Sequence, residues 1–232
     1  MKVQVVANAD GVAQEAARII ASEARAAVSA RGKFTIAVSG GRTPWQMLRA
    51  LANETVPWSS VHVFQVDERI APAGDPDRNL THLRESLLSH APLPPEQIHA
   101  MPVEGSDSVA AAASYAKTLH SLAGTPPVLD LVHLGMGPDG HTASLVPGDP
   151  VCAITDADVG LTGFYQKRQR MTLTYPVLNR ARGILWVVTG AEKREMLQRL
   201  LAADPSIPSG RVNQAQALVI ADAEAAGTAA TT

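Results

Sequence analysis

The stretch GMGPDGHTA, residues 135–143, combines the residue types that proton transfer requires. His141 carries an imidazole, the side chain that takes up and releases protons near neutral pH. Asp139, two residues earlier, can orient an imidazole and stabilise its charged form. Three glycines surround the pair, more than a purely structural connection needs. We therefore interpret His141 as a candidate general base in a functional loop, with a turn aspartate and a capping histidine as the alternative.

The stretch SGGRTP, which begins at Ser39, predicts an anion site. Gly40 and Gly41 allow the backbone to turn tightly and to approach a ligand closely. A helix that starts near Thr43 leaves unpaired N–H groups and a partial positive charge, which suit a phosphate. Arg42 beside such a terminus is unfavourable unless an anion lies between them. Short glycine motifs also occur in plain turns, so a turn with a solvated arginine is the alternative.

Two further charged groups follow predicted strands. Lys193 lies in the first turn of a predicted helix, where a cation, like Arg42, is unfavourable unless an anion lies beside it. The triplet Asp67-Glu68-Arg69 places two acids and a base just beyond another strand. Adjacent side chains point in different directions there, so we expect only one or two of them to reach a ligand. A solvated charged loop is the alternative.

The other histidines have no comparable context. His133 lies inside an apolar strand, which favours a buried structural role, and Asp77 and Asn79 precede a helix, as caps typically do. The remaining histidines are interpreted as surface or packing residues: His62, His82, His90, His99 and His120. No pair has the spacing of metal ligands, so we expect no metal site.

The elements that position these residues alternate between strand and helix, which indicates an α/β fold with a mainly parallel sheet. The predicted strands span 2–7, 33–38, 61–66, 128–135, 170–174, 183–188 and 216–221. Asp10 is predicted to cap the first helix, which Gly32 ends. Thr43 is predicted to cap the second, with Gln46 closing a capping box. Further helices are predicted over 80–89, 106–122 and 191–201.

Four polar loops come directly after strands of this sheet. They contain Ser39, Asp67, Gly135 and Thr189 as their first residues. The carboxyl ends of parallel strands share one edge, and ligands bind in the crevice there. We therefore expect the four loops to converge on one small molecule.

Composition excludes several other classes. The 232 residues are 46% hydrophobic, enough for a sizeable core, and carry a formal net charge of −2. No basic excess indicates nucleic acid, and no apolar run is long enough to span a bilayer. Cys152 is the single cysteine, so we expect no disulfide framework. The first residues lack the pattern of a signal peptide, and we expect a reducing cytoplasm.

The chain length fits one domain, which we place over residues 1–222. The small, polar segment 223–232 is predicted to fray or to be disordered. The sequence leaves the oligomeric state open between a monomer and a small homo-oligomer.

The ordered motifs resemble those of the 6-phosphogluconolactonases, lactone hydrolases of the pentose phosphate pathway. The matching stretches are SGGRTP (39–44), VDERIAP (66–72) with Asn79, LRESLL (83–88), LGMGPDGHTASLVPG (134–148), RMTLTYPVLNRA (170–181) and VTGAEKREML (188–197). They follow the family order and cover most of the chain. The family is similar in fold to the glucosamine-6-phosphate deaminases. The resemblance therefore implies a modified Rossmann-like sheet, flanked by helices, with its ligand crevice at the carboxyl ends of the strands.

The resemblance also implies a substrate, 6-phospho-D-glucono-1,5-lactone, and His141 as the catalytic base. Asp67 or Asp139 is expected to orient that base, and the sequence leaves the choice open. No redox cofactor or metal is implied. The residues expected to bind the substrate or its phosphate are Ser39, Gly40, Gly41, Arg42, Thr43, Arg69, Arg170 and Lys193.

The sequence departs from the family pattern at three places. Val146 stands where phenylalanine is common, Arg78 stands where a serine often precedes Asn79, and KRQR (167–170) replaces a more proline-rich segment. These departures concern the shape of loops more than the chemistry.

Two other functions fit part of the pattern. A sugar-phosphate deaminase or isomerase on the same scaffold would share Asp67, Asp139 and His141. Such enzymes have a glutamate in the place of Val146, so the valine favours the lactonase if that side chain faces His141. A non-catalytic sugar-phosphate sensor would keep the phosphate loops but need not keep His141.

Overall fold

The computed structural model describes residues 1–228 and contains ten strands within that range. Seven of them form one parallel sheet, and three form a small antiparallel sheet. The strands are β1 (Lys2–Val6), β2 (Phe34–Val38), β3 (Val61–Gln65), β4 (Asp67–Arg69), β5 (Ile98–His99), β6 (Leu131–Leu134), β7 (Val159–Leu161), β8 (Arg170–Leu173), β9 (Ile184–Val188) and β10 (Ala217–Asp222).

Seven α-helices accompany these strands in the described range. They are α1 (Ala9–Arg31), α2 (Arg42–Leu51), α3 (Asn79–Leu83), α4 (Ser108–Ala123), α5 (Tyr175–Arg180), α6 (Arg194–Leu201) and α7 (Ala223–Ala226). A π-helical segment, Arg84–Leu88, continues α3. Short 3₁₀ turns occur at Trp58–Ser60, Pro95–Gln97, Pro150–Ala153, Ala191–Lys193 and Ser209–Arg211. The alternation of strand and helix confirms the predicted α/β class.

The order of the large sheet is β1-β10-β9-β6-β2-β3-β5, with every pair parallel. From β2 the chain moves outward to β3 and β5. It then returns to the other side of β2 and continues through β6, β9 and β10. The connections that leave β2 and β6 therefore diverge, and a crevice opens beyond the carboxyl ends of these two strands.

The sheet separates two apolar layers. On one face, α1 and α2 bury residues such as Ile20 and Met47 against the sheet. On the other face, α4 and the small sheet pack Leu119 and Met171 against Val132. Every residue of β2, β6 and β9 is buried, which explains why these strands are mostly apolar in the sequence.

The antiparallel sheet contains β8 between β4 and β7. The sequence predicted a strand at 170–174 but did not separate it from the parallel sheet. Strands β4 and β7 have three residues each, too few to show any periodicity. This small sheet covers one side of the crevice, because β4 follows directly from β3.

Two predicted helix starts are wrong. Asn8, and not Asp10, caps α1, since its side chain accepts the Gly11 N–H at 2.9 Å. Asp10 lies in the first turn, where its negative charge interacts favourably with the helix dipole. The second helix begins at Arg42 with Gly41 as its N-cap and without a side-chain cap, so the capping box from Thr43 does not form.

The end of the described chain also differs from the expectation. Ala223–Ala226 form the single turn of α7 where the sequence predicted fraying. Asp222 accepts the Ala225 N–H at 2.8 Å, and Gly227 ends the turn in a left-handed conformation, so both ends are capped. Residues 229–232 of the predicted tail lie outside the described residues. Among residues 1–228, no helix is long and apolar enough to cross a membrane.

Candidate active site

A cavity of about 440 Å³ lies in the crevice beyond β2 and β6. The four polar loops that follow β2, β3, β6 and β9 all line this cavity, so they converge at one edge of the sheet as expected. All but one of the predicted site residues line this cavity: Ser39, Gly40, Gly41, Arg42, Thr43, Asp67, Arg69, His141, Arg170 and Lys193. Asp139 lies behind His141 and does not line it.

His141 and Asp139 form a hydrogen-bonded pair. The His141 Nδ1 atom lies 2.6 Å from Asp139 Oδ1, and the backbone N–H of His141 lies 3.2 Å from the same oxygen. Partial burial opposes ionisation of Asp139, but the charge and the hydrogen bonds of His141 outweigh it, so the pKa of Asp139 lies below its ordinary value. An ionised carboxylate only accepts, which places a proton on Nδ1. The Nε2 atom is then free to accept a proton.

The glycines of this loop make room for the pair. A Cβ atom on Gly137 would lie 2.1 Å from His141 Nδ1 and 2.7 Å from Asp139 Oδ1. No side chain fits there without displacing the imidazole. The backbone N–H of Gly137 also donates to His141 O at 2.9 Å, which closes the loop on itself.

The SGGRTP turn presents a helix N-terminus to the cavity. Gly41 has φ +126° and ψ 164°, a conformation that L side chains rarely adopt, and no side chain caps α2. A Cβ atom on Gly40 would lie 2.0 Å from Asn79 Oδ1, so the turn packs closely on the neighbouring loop. Because Gly41 and Arg42 line the cavity, the ten-residue helix directs the N-terminal end of its dipole at it.

His133 fixes the start of that turn, in agreement with the expected structural role. The Ser39 N–H donates to His133 Nδ1 at 3.2 Å, and the Ser39 hydroxyl donates to His133 O at 3.0 Å. Burial lowers the pKa of His133 to about 3, so the ring is neutral and can accept this bond.

Arg170 is a buried cation without a carboxylate of residues 1–228 within hydrogen-bond distance. It is 4% exposed, and its Nε atom has no hydrogen-bond partner among the described residues. Its Nη2 atom donates to Gln166 Oε1 at 3.1 Å. It also lies directly opposite Arg69 in the β4–β8 ladder, where like charges are unfavourable. Burial and the Arg69 charge lower the pKa of Arg170.

Lys193 adds a second partly buried cation. It lies in the 3₁₀ turn before α6, and burial lowers its pKa although Glu192 and Asp139 oppose the shift. The hydroxyls of Thr43 and Thr189 lie 2.7 Å apart, which joins this loop to the glycine turn. The cavity thus gathers several cations and a helix N-terminus, an arrangement that can hold a dianion such as phosphate.

Two of the three charged residues after β3 line the cavity, and their contact with a ligand stays a prediction. Asp67 and Arg69 line it, whereas Glu68 is fully buried beside it. The Glu68 carboxylate accepts the N–H groups of Asn79 and Leu80, each at 2.8 Å, and so holds the start of α3.

The two acids have different hydrogen-bond partners. Asp67 Oδ2 accepts the Ser144 hydroxyl at 2.6 Å, and Asp67 Oδ1 accepts the Asn79 amide at 3.2 Å. Asp139, and not Asp67, makes the hydrogen bond to His141.

Four polar residues at or beside the cavity were not predicted as site residues. Asn79, Gln166 and Glu192 line it, and the Tyr165 hydroxyl donates to Asp139 Oδ2 at 3.2 Å. The position of Asn79 before a helix favours a cap, although its place in the family motif was a usable signal. Tyr165 and Gln166 lie in a hairpin without any motif.

The Val146 side chain is buried, and it is not among the residues that line the cavity. The distinction between a lactonase and a deaminase at this residue stays a prediction. In the described part of the chain, no cluster of three or more His, Cys, Asp or Glu residues could hold a metal ion.

The sequence matches one family over nearly its whole length. A family model described as glucosamine-6-phosphate isomerases/6-phosphogluconolactonase matches residues 7–220. The chain is 36% identical to a 6-phosphogluconolactonase of Synechocystis over 94% of this chain and 93% of that protein. It is 34% identical to a 6-phosphogluconolactonase of Mycobacterium tuberculosis, over 97% of this chain and 96% of that protein.

Solved structures agree with this result. A 6-phosphogluconolactonase of Thermotoga maritima superposes with a TM-score of 0.85 at 27% identity, over 95% of this chain and 98% of that chain. A monomeric glucosamine-6-phosphate deaminase superposes with a TM-score of 0.84 at 19% identity, over 98% of this chain and 99% of that chain. The second likeness shows a shared fold only.

Proposed function

The chain belongs to the family of glucosamine-6-phosphate isomerases and 6-phosphogluconolactonases, and we propose that it hydrolyses 6-phospho-D-glucono-1,5-lactone to 6-phospho-D-gluconate. The enzyme class follows from relatives named 6-phosphogluconolactonase at about 35% identity over most of the chain. The observation that carries the mechanism is one cavity lined both by His141, which is hydrogen-bonded to Asp139 behind it, and by the buried, incompletely partnered Arg170.

The cationic part of the cavity binds the phosphate. The N-terminus of α2, Arg170 and Lys193 supply donors and positive charge, and the phosphate in turn offsets the cost of burying these cations. Binding energy at this remote group orients the ring carbonyl for reaction.

His141 acts on water at the other end of the substrate. Nε2 accepts a proton from the water as its oxygen attacks C1 of the lactone, and Asp139 stabilises the imidazolium that forms. Backbone N–H groups of the glycine loop and the Arg69 guanidinium are the donors available to the oxyanion.

Collapse of the intermediate breaks the bond between C1 and the ring oxygen. The imidazolium returns its proton to that oxygen, which becomes the hydroxyl of the open chain, while C1 becomes a carboxylic acid that ionises in solution. One water is consumed, and neither electrons nor a metal are required for the balance.

The test is the disappearance of the lactone, corrected for its spontaneous hydrolysis. His141→Ala should lower kcat by on the order of 10²–10⁴, the usual contribution of a general base. Binding of 6-phosphogluconate should persist, because its phosphate contacts are unchanged. His90→Ala, an exposed histidine away from the cavity, serves as the matched control. Turnover near that of the wild type in His141→Ala would rule out this mechanism.

Deamination of glucosamine 6-phosphate is the second candidate, because Asp67 lies in the same cavity with its carboxylate held by Ser144 and Asn79. The two reactions are separated by their products. Incubation with glucosamine 6-phosphate should release no ammonia above background. Ammonia release at rates comparable to lactone hydrolysis would show that the deaminase reading is correct.

A further inference from the structure

The tip of the hairpin between β7 and β8 lies beside the cavity. The Tyr165 N–H donates to Arg168 O at 2.9 Å, and the Arg168 N–H donates to Tyr165 O at 3.1 Å. Gln166 and Lys167 between them have φ values of +49° and +67°, which define a tight turn. The Arg168 guanidinium forms ion pairs with Asp75 and Asp77, so the tip is tied to the loop before α3.

Tyr165 contacts both chemical parts of the site. Its hydroxyl donates to Asp139 Oδ2 at 3.2 Å, while the other oxygen of that carboxylate bonds His141. Its ring meets the His141 ring edge to face, with centroids 5.6 Å apart. The Arg170 Cζ atom lies 4.9 Å from the centre of the same ring. Gln166, the next residue, accepts a hydrogen bond from Arg170.

On the basis of the proposed function, we infer that Tyr165 is a positioning residue for the reaction. Its hydroxyl holds the Asp139 carboxylate in the orientation in which it accepts the hydrogen bond from the protonated His141 Nδ1, which leaves Nε2 free. Its ring supports the Arg170 guanidinium beside this pair. Tyr165 thereby links the base to the cation that binds the phosphate.

The chemistry of the phenol suits this role. Burial and the Asp139 charge raise the pKa of Tyr165, with Arg170 opposing, so the hydroxyl stays protonated and acts as the donor. A carboxylate that accepts two side-chain hydrogen bonds shares its charge between them. Without the hydroxyl, Asp139 interacts more strongly with His141 and stabilises the imidazolium.

Loss of the Tyr165 hydroxyl should shift the pH dependence of the reaction in one direction. A stabilised imidazolium loses its proton at higher pH, so the acid limb of the profile moves to higher pH. Other charged groups from neighbouring elements line the cavity with His141: Lys193 and Glu192 from the 3₁₀ turn, Asp67 and Arg69 from β4, and Arg170 from β8. These groups are unchanged in Tyr165→Phe, so their contributions to the position of the acid limb cancel when the variant is compared with the wild type.

The experiment compares Tyr165→Phe with the wild type. We expect kcat to fall by on the order of tenfold, because the Asp139 carboxylate, and with it the His141 ring, loses its fixed orientation, while KM stays within about twofold. The acid limb of kcat/KM should move up by roughly half a pH unit. Phe164→Leu is the matched control, since Phe164 lies on the same hairpin and is 83% exposed, and it should change none of these values.

A second variant tests the ring. Tyr165→Leu removes the face that contacts Arg170, so KM for the phosphorylated lactone should rise in addition to the loss in kcat. Unchanged kcat and an unchanged pH profile in Tyr165→Phe would overturn the inference.

A readout without turnover separates this inference from the proposed function. An NMR titration of the His141 ring nitrogens reports its protonation in the absence of any substrate. A midpoint that moves up in Tyr165→Phe supports the positioning role even if the wild-type protein does not hydrolyse the lactone. Coincident titrations in the two proteins would exclude the role whatever the reaction is.

Discussion

Asp139 determines which nitrogen of His141 is free, and this can be tested with a change of one atom. Asp139→Asn presents an amide, which can donate to Nδ1 and so favours the tautomer with its proton on Nε2. That tautomer cannot accept a proton from water. We expect kcat to fall by on the order of 10²–10⁴ with little change in KM. Steady-state kinetics with the lactone measure both values.

The control for this change is Asp156→Asn, an exposed aspartate outside the cavity, which should behave as the wild type. A small kcat effect in Asp139→Asn, similar to that of the control, would mean that the hydrogen bond seen at 2.6 Å does not set the tautomer.

Single residues were predictable where their partners are close in sequence. His141 and Asp139 lie two positions apart in one loop, so the motif itself brings them together. The Tyr165–Asp139 contact spans 26 residues and depends on how a hairpin folds across the cavity. No local pattern in the sequence records such a contact.

At the level of elements, Glu68 stabilises the loop that carries Asp67 and Arg69. It is fully buried and forms an ion pair with Arg78 at 3.1 Å, and Arg78 is itself 1% exposed. Glu68→Gln removes the buried countercharge of the Arg78 guanidinium and weakens the acceptors for the first N–H groups of α3. We expect the free energy of unfolding to fall by about 3–5 kcal/mol, measured by urea denaturation.

The other carboxylate on Arg78 provides the control. Glu104 also pairs with Arg78, at 3.0 Å, but its side chain is 54% exposed. Glu104→Gln should therefore change the stability by at most about 1 kcal/mol. Equal losses of unfolding free energy in the two variants would show that burial does not determine how much each ion pair contributes to stability.

The elements themselves were predicted where the pattern is long. The apolar runs of β2, β6 and β9 identify buried parallel strands, and α1 shows helical spacing over 23 residues. The predicted start of α2 failed because the unusual backbone of Gly41, rather than a Thr43 cap, begins the helix. The role of Arg78 was visible only as a departure from the family pattern, because its partner Glu68 lies ten residues earlier.

At the scale of the whole molecule, strand order decides where the site forms. The divergence of the chain after β2 and β6 opens the crevice, and the small antiparallel sheet brings Arg69 and Arg170 to its side. Strand alternation and loop position were enough to predict the shared edge. The neighbours of β8 were not predictable, since pairing between distant short strands leaves no periodic signal.

Because the site draws on loops from several strands, a ligand that bridges them should stabilise the entire fold. At a concentration of 100 times its Kd, 6-phosphogluconate should raise the free energy of unfolding by about 2.7 kcal/mol. Gluconate at the same concentration lacks the phosphate and should give no measurable increase.

Arg170→Gln should lose most of the ligand-dependent increase in the free energy of unfolding. Arg182→Gln should keep it, because Arg182 is 54% exposed and lies at the amino end of β9. Denaturant unfolding with and without each ligand measures these differences. Equal stabilisation by both ligands, or a full increase in Arg170→Gln, would place the phosphate outside this cavity.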